Sequence, residues 1–95
     1  AQSEALFRSV QLALQADVAQ NYFELRQLDS DQDLYRRTVE LREQALKLVQ
    51  RRFNEGDISE LDVSRAKNEL ASAQADAVGV ARRRAASEHA LAILL

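Results

Sequence analysis

Apolar residues recur at alternating steps of three and four along the first half of the chain, which is the spacing of a heptad seam on an α-helix. The seam consists of Phe7, Leu14, Val18, Leu25, Leu28, Tyr35, Val39, Leu46, Val49 and Phe53. Polar residues fill its remaining places, namely Gln11, Asn21, Gln32 and Arg42. This pattern predicts one long helix over about residues 3–54.

A second apolar series runs along the same predicted helix, about 100° around its axis from the first. It contains Leu34, Leu41 and Leu48, with Thr38 and Ala45 between them. A helix with two seams is typical of a bundle or ring, in which each helix touches neighbours on two sides. The alternative is a single wide stripe of the ordinary amphipathic kind, which also places residues on both flanks of a seam.

The second half of the chain repeats the heptad spacing and predicts a helix over about residues 59–94. Its seam consists of Val63, Ala66, Leu70, Ala73, Ala77, Val80, Arg84, Ser87, Leu91 and Leu94. Alanines in its middle allow a facing helix to approach closely. We therefore predict an all-α fold in which residues 1–95 form one long antiparallel two-helix coiled-coil hairpin.

A turn at residues 55–58 separates the two predicted helices. Gly56 stands where a helix would end in a left-handed residue, a conformation that costs glycine little. Beyond it, Asp57 or Ser59 can cap the next helix, and Ser59 and Asp62 have the spacing of a capping box. Apolar Ile58 and Leu61 lie beside these small and acidic groups, at the far end of helices that extend about 55–80 Å. The tip is either a well-capped loop or a docking surface.

Composition excludes several classes of fold and function. The chain has no proline, cysteine, methionine or tryptophan, and good helix formers dominate it. Its net charge of −2, with both signs interleaved, argues against a nucleic-acid surface. No segment approaches the roughly 18 apolar residues of a membrane span. We expect a water-soluble segment that relies on partners for part of its burial.

No constellation of residues indicates catalysis, a metal or a cofactor. His89 is the sole histidine, and the chain has no glycine-rich phosphate loop and no combination of nucleophile, base and orienting group. Of the three consecutive arginines at 82–84, only Arg84 lies on the seam. We expect it to pair across the hairpin with Glu24, Asp29 or Asp31, and the other two to be solvated.

Four segments of the chain carry a likeness to a known family, namely ADVAQNYFELRQLD, LYRRTVELREQALKLV, RRFNEGDISELDVSRAKNELASAQA and RRRAASEHALAILL. With them the chain resembles the periplasmic helical hairpin of outer-membrane efflux proteins, the TolC/OprM-like channels, and is most similar to their NodT-type lipoprotein branch. The most specific part of these segments is the pattern Arg-Phe-x-x-Gly-x-x-Ser-x-x-Asp-Val. The likeness covers essentially the whole chain.

This resemblance implies a larger parent protein in the envelope of Gram-negative cells. Such channels are homotrimers, and each subunit gives strands to an outer-membrane β-barrel and two long hairpins to a periplasmic α-barrel. The hairpin tips meet a periplasmic adaptor, which links them to an inner-membrane pump for drugs or other solutes. The present chain holds one hairpin and no barrel strands, so we interpret it as a segment of such a subunit, the first of its two hairpins. Exposed seams favour self-association of the isolated segment, whose oligomeric state the sequence leaves open.

The resemblance also assigns a partner-binding site to the tip. By match to the family's tip pattern, the docking residues are Gly56, Asp57, Ile58, Ser59, Glu60, Leu61 and Asp62, with Phe53 and Val63 as anchors. Asp57, Glu60 and Asp62, repeated around a trimer, would form a negative ring at the entrance, a feature that favours cations.

Two alternatives remain open from the residues alone. The first is the α-hairpin of a periplasmic adaptor, whose tip carries an Arg-x3-Leu-x6-Ser arrangement. Counting back from Ser59 gives Arg52 where leucine is required and Leu48 where arginine is required, which favours the channel. The second is a generic coiled-coil scaffold, which would leave the specific tip pattern unexplained.

Overall fold

The chain folds into two long helices that lie side by side and run in opposite directions. The computed structural model describes residues 2–95, with α1 spanning Gln2–Asn54 and α2 spanning Glu60–Leu94. The rod that they form measures 82 × 15 × 14 Å. The predicted all-α hairpin is confirmed, with helix bounds that differ from the predicted ones by a single residue at two ends.

Two ion pairs between the helices define their register. Arg84 of α2 donates from Nε to Asp29 of α1, the second of the three partners predicted for it. Nearer the turn, Arg42 Nη1 lies 3.3 Å from Glu69 Oε2. The offsets of the two pairs differ by two residues, which is within the reach of their long side chains, so both pairs are compatible with one register along the shared length of the helices.

This register places large side chains of α1 opposite small ones of α2. In this register Val39 falls at about the level of Ala73 and Leu46 at about the level of Ala66, and large residues facing small ones allow the helices to pack closely. Both alanines are buried. The alanine-rich middle of α2 thus acts as predicted.

The seam predicted for α2 is the face that it buries. Every seam position from Val63 to Leu94 is buried or half-buried. On α1, the seam is half-buried at Val18, Asn21, Leu25, Leu28, Gln32, Tyr35, Val39, Leu46 and Val49. The predicted heptads are therefore confirmed where the two helices overlap.

Several predicted seam positions of α1 are exposed in the structure. Phe7 and Leu14 are among them, and no described helix faces the first turns of α1. Phe53 is exposed because the chain turns away beside it. Arg42 is also exposed, since its long side chain reaches out of the seam toward Glu69.

The second apolar series of α1 faces solvent along the middle of the rod. Leu34, Leu41 and Leu48 are 60%, 64% and 51% exposed. Thr38, between them, donates its hydroxyl to the Leu34 carbonyl of its own helix. The series is therefore separate from the seam that holds the hairpin together, as the two-seam interpretation requires.

Candidate partner-binding site at the hairpin tip

The end of α1 is closed by a pair of backbone hydrogen bonds around Gly56. The Asp57 amide donates to the Arg52 carbonyl at 2.9 Å, and the Gly56 amide donates to the Phe53 carbonyl at 3.0 Å. These two bonds form a Schellman motif, which satisfies carbonyls that the helix end would otherwise leave without partners. The motif directs the chain sharply back toward α2.

Gly56 is required at this position by the backbone. Its φ is +83°, in the left-handed region that side-chain-bearing residues rarely adopt. A Cβ atom added to Gly56 would meet no atom within 4 Å, so available space does not explain the glycine. The predicted left-handed helix end is confirmed.

The start of α2 differs from the predicted capping box. Ser59 is the N-cap residue, with an extended backbone, but its side chain makes no capping hydrogen bond. Its hydroxyl donates to the Asp62 carboxylate, at 3.4 Å, while the Asp62 amide donates to the Ser59 carbonyl. The negative charges of Glu60 and Asp62 favour the N-terminus of the helix through its dipole.

The nine predicted site residues fall into an outer surface and an inner anchor. Leu61 and Phe53 are 58% and 41% exposed, and they offer apolar area to solvent. Ile58 is half-buried, and Val63 is buried as the first core residue of α2. The predicted anchoring role therefore fits the burial of Val63, whereas Phe53 belongs to the exposed surface.

Charge is divided between the tip and the helix end behind it. Glu55, Asp57, Glu60 and Asp62 lie in and beside the turn, whereas arginines occupy positions 51 and 52. Among the described residues, none of these six side chains takes part in an ion pair within the chain. The tip therefore presents acidic groups around exposed apolar side chains, and the two arginines lie behind them at the end of α1.

A shallow groove behind the tip is lined mostly by residues that the sequence did not assign to the site. The groove has a volume of about 280 Å³, and Ile58, Leu48 and Arg65 are among its lining residues. Arg65 follows Asp62 by three residues on α2, which places both on one side of the helix. Helical spacing from the tip could therefore have identified Arg65 from the sequence.

The rest of the described chain offers no competing chemical site. His89 is an exposed residue of α2. Within residues 2–95, no group of three or more histidine or acidic side chains is placed to hold a metal ion. Over the same residues, neither helix has a stretch long and apolar enough to cross a membrane.

Comparison with known proteins identifies one family. The family model described as outer membrane efflux protein matches residues 1–95. No curated protein and no solved structure gives a significant match. The match supports the resemblance seen in the sequence and favours the channel over the adaptor hairpin and the generic scaffold.

Proposed function

Since the chain belongs to the outer membrane efflux protein family, we propose that its hairpin is a stave of the periplasmic α-barrel in a trimeric efflux channel. Its tip docks a periplasmic adaptor, which connects the channel to an inner-membrane pump. The observation that carries this proposal is the tip itself, where exposed Leu61 and Phe53 stand among acidic groups at one end of an 82 Å rod. The family is one of transport channels, and we assign the chain no catalytic role.

The exposed apolar rows on the two helices support the proposal that the hairpin is part of the wall of an α-barrel. Leu34, Leu41 and Leu48 form an exposed row along α1, and Leu48 also lines the groove behind the tip. A second exposed row runs along the outer side of α2 and consists of Ala71, Ala75, Val78 and Ala85. Since heptad spacing repeats the same side every two turns, each row is continuous along its helix. A hairpin with an apolar row on each outer side suits neighbours on both sides, as in a ring.

The chemistry of the tip defines the complementary surface of the adaptor. Leu61 and Phe53 require an apolar contact, because their burial contributes about 1.5–3 kcal/mol for each fully buried side chain. The acidic groups of the tip suit lysine or arginine at the rim of that contact, where opposite charges speed association and fix orientation. Three tips around a trimer would also concentrate negative charge at the channel entrance.

The experiment is a charge-neutral replacement at the tip of the full-length subunit. The combined substitutions Asp57→Asn, Glu60→Gln and Asp62→Asn remove three charges and keep side-chain size. We expect weaker cross-linking to the adaptor and reduced export, because the steering charges are lost.

The matched control removes three acidic charges along α1, through Asp17→Asn, Asp31→Asn and Glu40→Gln. We expect it to preserve both cross-linking and export. If the tip variant leaves both readouts unchanged while the subunit still reaches the outer membrane, the docking role is wrong.

A further inference from the structure

The seam between the helices has two unlike halves. The tip half comprises residues 35–49 of α1 and 63–80 of α2, and the open-end half comprises residues 18–32 and 84–94. All four buried apolar residues of the described chain, Val63, Ala66, Ala73 and Val80, lie in the tip half. The buried residue of the open-end half is Ser87, whose hydroxyl has no hydrogen-bond partner. An unpartnered buried hydroxyl opposes closure of this half.

Polar side chains replace apolar ones on the α1 side of the open-end half as well. Asn21 and Gln32 occupy seam positions and are half-buried. The Asn21 amide donates to the Asp17 carbonyl of its own helix, at 2.8 Å, and so does not bind α2. Apolar adhesion between the helices is therefore weaker here than near the tip.

One ion pair crosses the seam in the open-end half. Arg84 and Asp29 form it with side chains that are 32% and 33% exposed. Arg84 also bonds Glu88 at 3.0 Å, and Asp29 lies 3.7 Å from Arg26, so that four charged residues form a chain across the two helices. The hydrogen bond to Asp29 is the main cause that raises the pKa of Arg84, which stays charged at any physiological pH.

We propose that the open-end half is a clasp, by which we mean a segment of the seam that opens independently of the tip half. The Asp29–Arg84 pair keeps this clasp closed. Few apolar contacts and a buried polar group lower the free energy of local opening in this half. A pair that is one-third exposed is screened by dissolved ions, so closure weakens as salt is added. Ionic strength would then control how far the two helices separate at the end remote from the tip, whatever the tip binds.

Hydrogen exchange of the 95-residue chain tests the clasp. Salt is raised from about 10 mM to about 1 M, which shortens the Debye length from roughly 30 Å to roughly 3 Å. We expect amide exchange at residues 84–94 to rise about fivefold, since an exposed pair contributes up to about 1 kcal/mol. Exchange at residues 63–80 should rise much less, because buried apolar residues hold this half together although Arg42 and Glu69 also pair across it.

Two variants of the Asp29–Arg84 pair distinguish a clasp held by electrostatic attraction from a contact that is only structural. Asp29→Asn should give fast exchange at low salt and remove the response to salt. The double substitution of Asp29→Leu with Arg84→Leu should slow exchange and also remove the response, because apolar residues then replace the whole ion pair and no unpaired charge stays in the seam. The two variants thus move exchange in opposite directions and share the loss of salt dependence.

Asp33→Asn is the matched control, because Asp33 pairs only with Arg36 and Arg37 of its own helix among the described residues. This variant should keep the salt response of the unmodified chain. The clasp is overturned if salt leaves exchange at residues 84–94 unchanged. It is equally overturned if exchange rises gradually toward Leu95 and Asp29→Asn has no effect, since that is ordinary fraying of a helix end.

Discussion

At the scale of single residues, the two glycines of the chain have different backbone conformations and different places in the fold. Gly56 adopts a left-handed backbone that closes α1, whereas Gly79 lies inside α2. No atom lies within 4 Å of a Cβ added to either glycine, so only the backbone distinguishes them. The effect of a glycine-to-alanine substitution on stability therefore follows, at each position, from the local backbone conformation alone.

Gly56→Ala should destabilise the hairpin by about 1–2 kcal/mol, because alanine resists the left-handed conformation by that amount. The measurement is urea unfolding followed by far-ultraviolet circular dichroism.

Gly79→Ala is the matched variant and should stabilise the hairpin by up to about 1 kcal/mol, since alanine is the better helix former. Equal effects of the two substitutions would contradict this account of the turn.

At the scale of the elements, α2 carries the core and α1 covers it. All the buried side chains that the structure describes belong to α2, and the seam of α1 is half-buried at best. The small residues of α2 lie between larger residues of α1. A larger fraction of their surface is therefore covered by the partner helix. Contacts on this one face, more than helix propensity, hold the two elements together.

Val80 is the most deeply buried residue of the seam, with 1% of its surface exposed. Val80→Ala should destabilise the hairpin by about 2 kcal/mol, through loss of buried apolar surface and the cavity left behind. Urea unfolding is again the measurement.

Val78 is the natural control for this substitution, because it lies on the same helix and is 51% exposed. Val78→Ala should leave stability unchanged or raise it by up to about 0.5 kcal/mol, since alanine favours the helix. A cost at Val78 equal to that at Val80 would place the core on another face of α2.

At the scale of the whole molecule, a rod of two helices leaves much apolar surface in water. Leu34, Leu41 and Leu48 form a continuous exposed row along α1, and further apolar residues stand exposed near the open end. Contiguous apolar patches of this kind mark interaction surfaces in soluble proteins. The shape and the exposed rows both indicate a part that functions beside neighbours.

The isolated chain should therefore self-associate, with a mass by sedimentation equilibrium above the 10.7 kDa of one copy. Leu41→Glu should return the mass to that of one copy, because a buried carboxylate without a partner is costly. Gln50→Glu adds the same charge on another side of α1 and should leave association intact. If both variants remain associated, the leucine row is not the contact surface.

Much of the candidate site could be predicted because its residues are neighbours in the chain. A glycine between two heptad patterns located the turn, and the tip pattern around it named the residues. The mode of capping could not be predicted, since the Ser59 hydroxyl can either accept from a backbone amide of α2 or donate to the Asp62 carboxylate. Nor did the sequence reveal the groove in which Arg65 lies, because that groove forms only when both helices are present.

Heptad spacing and the single internal break determined the helices, the hairpin and the seam of α2, because helix periodicity and turn conformation are local properties of the chain. Tertiary structure alone decided which predicted seam residues are covered, since coverage depends on the side chains that the facing helix places opposite each position. It also chose Asp29 among the three acidic partners open to Arg84, because only the register between the helices brings one carboxylate within reach.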